Sequence, residues 1–245
     1  MKKRLDVACV ERGLFESREK ALRAIMAGSV VVNGRPADKA GQPVKDEDAI
    51  ELAGPACPYV SRGGLKLKGG MDGFKIDARG KICLDVGVAT GGFTDCLLQE
   101  GALKVYAVDV GDGQIHEKIK NDPRVVFMPQ TNARFLAPGM FAEPPELCAI
   151  DVSFISLRLI LGPVFNVLVP GGEALVLVKP QFELEPGDLK RGIVKTEELR
   201  LKAAENLRAF LRENIPGFEE KGMMDSPIKG AKGNLEFLWY LVKRA

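Results

Sequence analysis

The chain has 245 residues, is 46% hydrophobic and 28% charged, and carries a formal net charge of +2. That length suits one α/β domain with a small companion, and the composition is that of a soluble globular protein. The longest apolar candidate, Leu159 to Val169, is interrupted by Gly162, Pro163 and Asn166, and the start Met1-Lys-Lys-Arg-Leu-Asp lacks a signal peptide's apolar core. No stable membrane insertion is therefore expected. Cys9, Cys57, Cys83, Cys96 and Cys148 show no C-x-x-C spacing, and His116 is the single histidine, so no metal site is expected. Free thiols in a reducing, cytoplasmic compartment fit best.

Taken in chain order, Leu5, Ala8, Cys9 and Val10 predict a short helix closed near Gly13. Ser17 can cap a second helix, Arg18 to Ala27, with Ala21, Ile25 and Met26 facing inward and Gly28 ending it. Val30-Val31-Val32 reads as a strand, Asn33-Gly34 as a tight turn, and Ile50-Glu51-Leu52 as a second strand. Residues 1–35 hold eight lysines or arginines against four acids, a net +4. Such a segment suits an anionic partner or, more plainly, a solvated helix face. Gly54-Pro55-Ala56-Cys57-Pro58 reads as a linker.

From Tyr59 onward strands and helices alternate, predicting a doubly wound, mostly parallel α/β sheet. The strand candidates are 81–86, 103–109, 124–128, 146–151, 173–179, 218–224 and 235–242; the helix candidates are 62–74, 92–100, 114–120, 155–168 and 196–213. No helix-length gap separates the last two strands, so they should form an antiparallel hairpin at the sheet edge. The predicted domains are thus 1–54, a linker 55–60, and 61–245.

Between the first strand and its helix lies Asp85-Val-Gly-Val-Ala-Thr-Gly-Gly-Phe-Thr-Asp95. A glycine-rich turn there lets a ligand approach the backbone and aims helix amides at it. Asp109, 24 positions after Asp85, ends the next strand, where an acid suits a ribose hydroxyl pair. A nucleoside-bearing cofactor is implied. Lys179 and Asp151 end two other apolar strands, Glu236 sits in an apolar strand, and Lys66 opens the helix before the first strand. Charges in apolar strands need partners, so a purely structural ion-pair network is the plain alternative to catalysis.

Two resemblances organise these residues. Arg4-Leu-Asp6, Gly13, Ser17-Arg18, Ala21, Ile25, Gly28, Val30, Val32-Asn33-Gly34, Lys39, Val44, Asp48 and Ile50 resemble an S4 domain, a small α+β RNA-binding module. That resemblance implies an RNA-gripping face at Arg4, Arg18, Lys20 and Arg23, with Arg62 beyond it, reading phosphates and shape. Lys66, Asp151, Lys179 and Glu236 resemble the Lys-Asp-Lys-Glu tetrad of FtsJ-type RNA 2′-O-methyltransferases. Together with Ser61-Arg-Gly-Gly-Leu-Lys66, Asp151-Val-Ser-Phe-Ile-Ser156, Val178-Lys-Pro-Gln-Phe-Glu183 and Lys232-Gly-Asn-Leu-Glu236, the whole chain resembles the TlyA/hemolysin A family. A seven-stranded Rossmann-like methyltransferase sheet is then expected.

The resemblance implies S-adenosylmethionine as cofactor. Gly87, Thr90, Gly91 and Gly92 would hold its methionine portion, Asp109 the ribose, and Thr131-Asn132-Ala133-Arg134 the adenine edge, with Asp85 and Asp151 completing the set. Ala89 departs from the family's usual serine and removes one possible hydrogen bond. Lys179 is the expected general base toward an RNA ribose 2′-hydroxyl. Ribosomal RNA, cytidine in particular, is the implied substrate. Three rival readings remain: a dehydrogenase, which lacks its Gly-x-Gly-x-x-Gly; a non-catalytic RNA-binding or ribosome-assembly factor; and a membrane-lytic hemolysin, which lacks an insertion segment. Leu199, Ala203, Leu207, Phe210 and Leu211 in helix 196–213 read instead as a core-facing stripe.

Overall fold

The computed structural model describes residues 2–26, 28–52, 57–112, 114–190, 192–230 and 233–244. They fall into two compact units, Met1–Arg62 and Gly63–Ala245. Arg62 belongs with the first unit, its side chain packed on Gly28. Gly54, Pro55 and Ala56 of the expected linker lie outside the described residues.

In the first unit β1 (Lys3–Arg4) leads into α1 (Leu5–Glu11), followed by α2 (Arg18–Met26), β2 (Val30–Val32), β3 (Arg35–Pro36), β4 (Pro43–Val44) and β5 (Ile50–Leu52). β2 is the middle strand between β3 and β5, and β1 pairs with β4. Asn33 (φ 50°) and Gly34 (φ 74°) both take positive φ, which closes the tight β2–β3 hairpin with Val32 opposite Arg35. Strands β1, β3 and β4 have two residues each, too few for alternation to mark them in the sequence. The helix expected over Arg18–Ala27 is described to Met26; Ala27 lies outside the described residues. Ala21 and Ile25 join Leu5, Cys9, Val30 and Val44 in the core, but Met26 is 68% exposed, against expectation. At ~100° per residue Met26 sits roughly 140° from Ala21 and cannot share its face.

The second unit contains α3 (Gly63–Phe74), β6 (Ile82–Val86), α4 (Gly92–Gln99), β7 (Lys104–Val108), α5 (Glu117–Lys120), β8 (Val125–Met128), β9 (Leu147–Ile150), α6 (Leu161–Val167), β10 (Glu173–Val178), α7 (Glu197–Asn214), β11 (Phe218–Asp225) and β12 (Phe237–Lys243). Among the described residues its sheet has seven strands in the order β11-β12-β10-β9-β6-β7-β8. The strands from β10 to β8 run parallel, and β12 lies antiparallel between β10 and β11. Both faces are covered, which is why the central strands read as unbroken apolar runs. The chain order reverses between β6 and β9, and a crevice forms beyond the C-terminal strand ends at such a point. Gly87, Asp109, Asp151 and Lys179 are the residues immediately beyond β6, β7, β9 and β10. β12 starts at that same end, with Phe237 opposite Val178, so Glu236 precedes the strand rather than lying in it as expected.

Two expected helices are shorter. The candidate 155–168 divides: Ser156 Oγ accepts from the Arg158 amide and starts a 3-10 turn, Leu157–Leu159, before α6 begins at Leu161. That places Pro163 in the first helical turn, where its missing N–H is not needed. The candidate 114–120 contracts to Glu117–Lys120, capped by His116 Nδ1, which accepts from the Lys118 amide. The α7 stripe is observed, with Ala203, Leu207 and Leu211 buried.

Candidate active site

Helix α3 is glycine-rich, and a core-facing glycine sets how closely it lies on the sheet. A Cβ at Gly70 would come within 2.7 Å of Leu175 Cδ2 and 3.1 Å of Leu238 Cδ1. A methyl there would have to push these leucine tips aside, so glycine eases the approach to β10 and β12. Lys66, four residues earlier, shares the face of Gly70 and is carried toward the strand ends.

There the four tetrad residues form two ion pairs. Lys66 Nζ lies 2.6 Å from Glu236 Oε2, with side chains 11% and 2% exposed. Lys179 Nζ lies 2.5 Å from Asp151 Oδ1 and donates to Ser153 Oγ at 2.8 Å. Strand register explains the grouping. Val178 opposes Phe237 and Val176 opposes Ile150, so Lys179 emerges beside both Glu236 and Asp151.

Asp151 and Ser153 also line a cavity of about 410 Å³ whose wall includes Gly87, Ala89, Asp109 and Asn132. Gly87 takes φ 90°, and a Cβ there would collide with the Asp151 carbonyl. Asp109 accepts from the Ala89 amide through Oδ2 and from the Gly111 amide through Oδ1, each at 2.8 Å. Each carboxylate oxygen keeps a lone pair for a hydroxyl. The backbone of Ala89, rather than a side-chain hydroxyl, thus orients Asp109. Asn132 Oδ1 accepts from the Arg134 amide and caps a 3-10 turn, Ala133–Phe135. An apolar cavity with a carboxylate at its second-strand edge fits a nucleoside bearing a ribose diol.

Thr90, Gly91 and Gly92 serve the turn itself. Gly91 (φ 93°) is the N-cap of α4, Gly91 and Gly92 are buried, and the Thr90 carbonyl accepts from the His116 amide. Asp85 lies wholly buried beneath the cavity. Its Oδ2 accepts from Thr94 Oγ1 at 2.6 Å, and its Oδ1 has no hydrogen-bond partner among the described residues. Burial is the main cause that pushes its carboxyl up to about 7, against the pull of the Thr94 hydroxyl. A raised acid binds its proton more readily folded than unfolded. Stability contributed by this group is therefore highest near pH 4 and falls as pH rises to about 7. The gap from 3.8 to about 7 sets a ceiling of about 4 kcal/mol. Asp85→Asn should gain stability relative to the parent chain between pH 5 and pH 8 in urea titrations, by up to about 4 kcal/mol. A difference independent of pH would refute the protonated, desolvated carboxyl.

In the first unit the expected basic face is partly neutralised. Arg4 binds Asp6 through Nε and Nη2, each at 3.0 Å, and Arg18 Nη2 reaches Asp6 at 3.1 Å. The paired guanidinium of Arg4 is the main cause that lowers the Asp6 carboxyl to about 2. Lys20 pairs with Glu16 and Arg23 with Glu19, one helical turn apart. These exposed pairs are screened by solvent and contribute little, so a phosphate can compete with the glutamates.

Three residues were not singled out for a role by sequence reasoning. Ser153 is bonded to Lys179, Phe154 is 88% exposed at φ 63° with its ring 5.4 Å from that of Phe182, and Glu183 is buried. Burial raises the Glu183 carboxyl, which accepts from Ser156 Oγ at 2.6 Å and the Leu157 amide at 2.8 Å. All three lie inside the quoted motifs, but nothing in a single sequence separates them from their neighbours.

The strand order, the glycine turn after β6, the acid after β7 and the charged strand ends together define a Rossmann-like methyltransferase domain. Residues 59–243 match the FtsJ-like methyltransferase family, and residues 3–50 match the S4 domain. YqxC of Bacillus subtilis is 47% identical over 98% of this chain and 85% of its own length. The 16S/23S rRNA (cytidine-2′-O)-methyltransferase TlyA of Mycobacterium tuberculosis is 40% identical over 96% of this chain and 88% of its own length. A solved structure of a hemolysin-named protein from Streptococcus thermophilus superimposes with a TM-score of 0.79 at 45% identity, covering 99% of this chain and 89% of that one. The chain belongs to the TlyA/hemolysin A family of S4-bearing FtsJ-like methyltransferases.

Proposed function

We propose that the chain methylates the 2′-hydroxyl of cytidine ribose in ribosomal RNA, using S-adenosylmethionine in the cytoplasm. The observation that carries this reading is Asp151, which lines the cavity that Asp109 and Gly87 complete and is ion-paired with Lys179. The TlyA relative, which acts on rRNA cytidine, supports the substrate. Asp109 would hold the cofactor's ribose, Gly87 and Ala89 its methionine side, and Asn132 its adenine. When bound, the cofactor supplies a sulfonium methyl and leaves as a neutral thioether.

The chain's own work is to place the acceptor and take its proton. A ribose hydroxyl is a poor nucleophile, and the proton lost as oxygen gains the methyl passes to Lys179 Nζ once that amine has released its own ammonium proton to solvent. Asp151 fixes that amine, and the Lys66–Glu236 pair fixes the neighbouring charges. Alignment of hydroxyl and methyl supplies much of the rate. The S4 unit docks the RNA through Arg4, Arg18, Lys20 and Arg23. Against membrane lysis, no helix among the described residues is long and apolar enough to cross a bilayer.

The test is transfer of labelled methyl from S-adenosylmethionine to rRNA and to ribosomal subunits, followed by digestion to nucleosides. Label in 2′-O-methylcytidine is expected; label in a base, or none, overturns the proposal. Arg4 and Arg18 also hold Asp6, so the informative docking variant reverses Lys20 and Arg23 to glutamate. RNA affinity should then fall with its logarithmic salt slope reduced by about 2, and with thermal stability unchanged. Unchanged affinity would remove this face from the docking surface.

A further inference from the structure

We infer that Ser153 is a positioning residue for methyl transfer: its hydroxyl accepts the hydrogen bond of Lys179 Nζ, the Asp151 carboxylate holds the same nitrogen by charge, and together they turn it toward the acceptor hydroxyl. The inference rests on Lys179 being the proton acceptor. To act as base, the Lys179 ammonium must first release a proton to solvent; the amine then has two N–H bonds and one lone pair. Ser153 Oγ at 2.8 Å takes one N–H, and Asp151 Oδ1 lies 2.5 Å from the same nitrogen in an ion contact without hydrogen-bond geometry. Without the Ser153 hydrogen bond, rotation about the Cε–Nζ bond can turn an N–H toward the acceptor instead of the lone pair. With it, and with the carboxylate drawing the other N–H, that freedom is reduced. As the 2′-hydroxyl proton moves to the lone pair, the amine becomes an ammonium again, and the hydroxyl and the carboxylate both stabilise the added charge.

The placement of Ser153 is built, not incidental. It faces the same cavity as Gly87 and Asp109, and Lys179 is the partner its hydroxyl takes among the described residues. The turn that presents it is pinned at both ends. Before it, the Asp151 amide donates to the Val86 carbonyl at 2.9 Å. After it, buried Glu183 holds the Ser156 hydroxyl and the Leu157 amide. Between these anchors Phe154 adopts φ 63°, a left-handed conformation costly for an aromatic residue, with its ring against Phe182. Strain of this kind persists where surrounding contacts demand it, and it clusters at functional turns. Phe182 and Glu183 follow Lys179 within four residues. The segment carrying the base therefore also fixes the segment carrying Ser153.

The experiment compares full-length Ser153→Ala, Ser153→Thr and Lys179→Ala. It measures kcat and KM for RNA, and cofactor affinity by calorimetry. Ser153 is exposed, so its substitution should leave the fold intact. For Ser153→Ala, kcat should fall about tenfold, the scale of one hydrogen bond to a charged group, with RNA KM and cofactor affinity within about twofold. Ser153→Thr keeps the hydroxyl and should restore kcat to within about threefold of the parent chain. A parental kcat in Ser153→Ala, a loss confined to KM, or no rescue by threonine overturns the inference while an inactive Lys179→Ala leaves the base in place. Turnover retained by Lys179→Ala overturns both.

Discussion

Lys179→Ala is expected to lower methyl transfer by about 10³-fold, within the 10²–10⁴ range of a general base, while cofactor and RNA still bind. Alanine alone does not decide the matter, because it also strands Asp151. That side chain is 20% exposed and can recruit water, so the stability cost should stay at about 1–2 kcal/mol. Lys179→Arg is the sharper variant. A guanidinium keeps the positive charge beside Asp151 but cannot give up its proton in a protein. If the pair is only structural, arginine should restore both stability and turnover. If Lys179 is the base, arginine should restore stability and leave turnover as low as alanine does. Single-turnover methylation with urea titration separates the two, and active Lys179→Arg would end the base assignment. Lys66→Arg gives the contrast: paired with Glu236 and asked only for charge, it should retain a measurable fraction of activity.

Much of this site is legible in sequence because strand ends are. Apolar runs finishing in Asp151, Lys179 and Asp109 announce residues that a parallel sheet delivers to one edge. Which acid meets which amine is not legible, since it depends on β12 entering antiparallel beside β10 and on α3 approaching close enough for Lys66 to reach Glu236. Gly70 carries that approach, yet a glycine in a helix reads in sequence only as a weak position. The same limit hides Asp85, which looks like a ligand-facing acid and is instead desolvated beneath the cavity. In the S4 unit the basic residues are visible, but the claim of Asp6 on both Arg4 and Arg18 is a three-dimensional fact. Short elements such as α5 are set by one cap, His116, rather than by periodicity.

Gly87→Ala should be among the most damaging single-methyl additions in the chain, and its cause lies in backbone rather than side chains. The residue sits at φ 90°, where an L side chain costs about 1–2 kcal/mol, and the new methyl would collide with the Asp151 carbonyl oxygen and lie 2.9 Å from its carbonyl carbon. A flexible side chain could swing away; a strand-end backbone cannot without moving Asp151 from Lys179. Overpacking adds about 1–3 kcal/mol, so urea titration should show a total loss of about 2–5 kcal/mol. Gly139→Ala is the matched control. It lies in a 3-10 turn, Pro138–Met140, with nothing within 4 Å of its Cβ position, and should be neutral or stabilising by about 0.5 kcal/mol. In the folded fraction of Gly87→Ala, cofactor affinity and kcat should fall together, since one displacement narrows the cavity and shifts the carboxylate that fixes the base. A Gly87→Ala chain as stable as Gly139→Ala, binding cofactor normally, would mean that the β6 and β9 ends yield easily and that the crevice is not held by this contact.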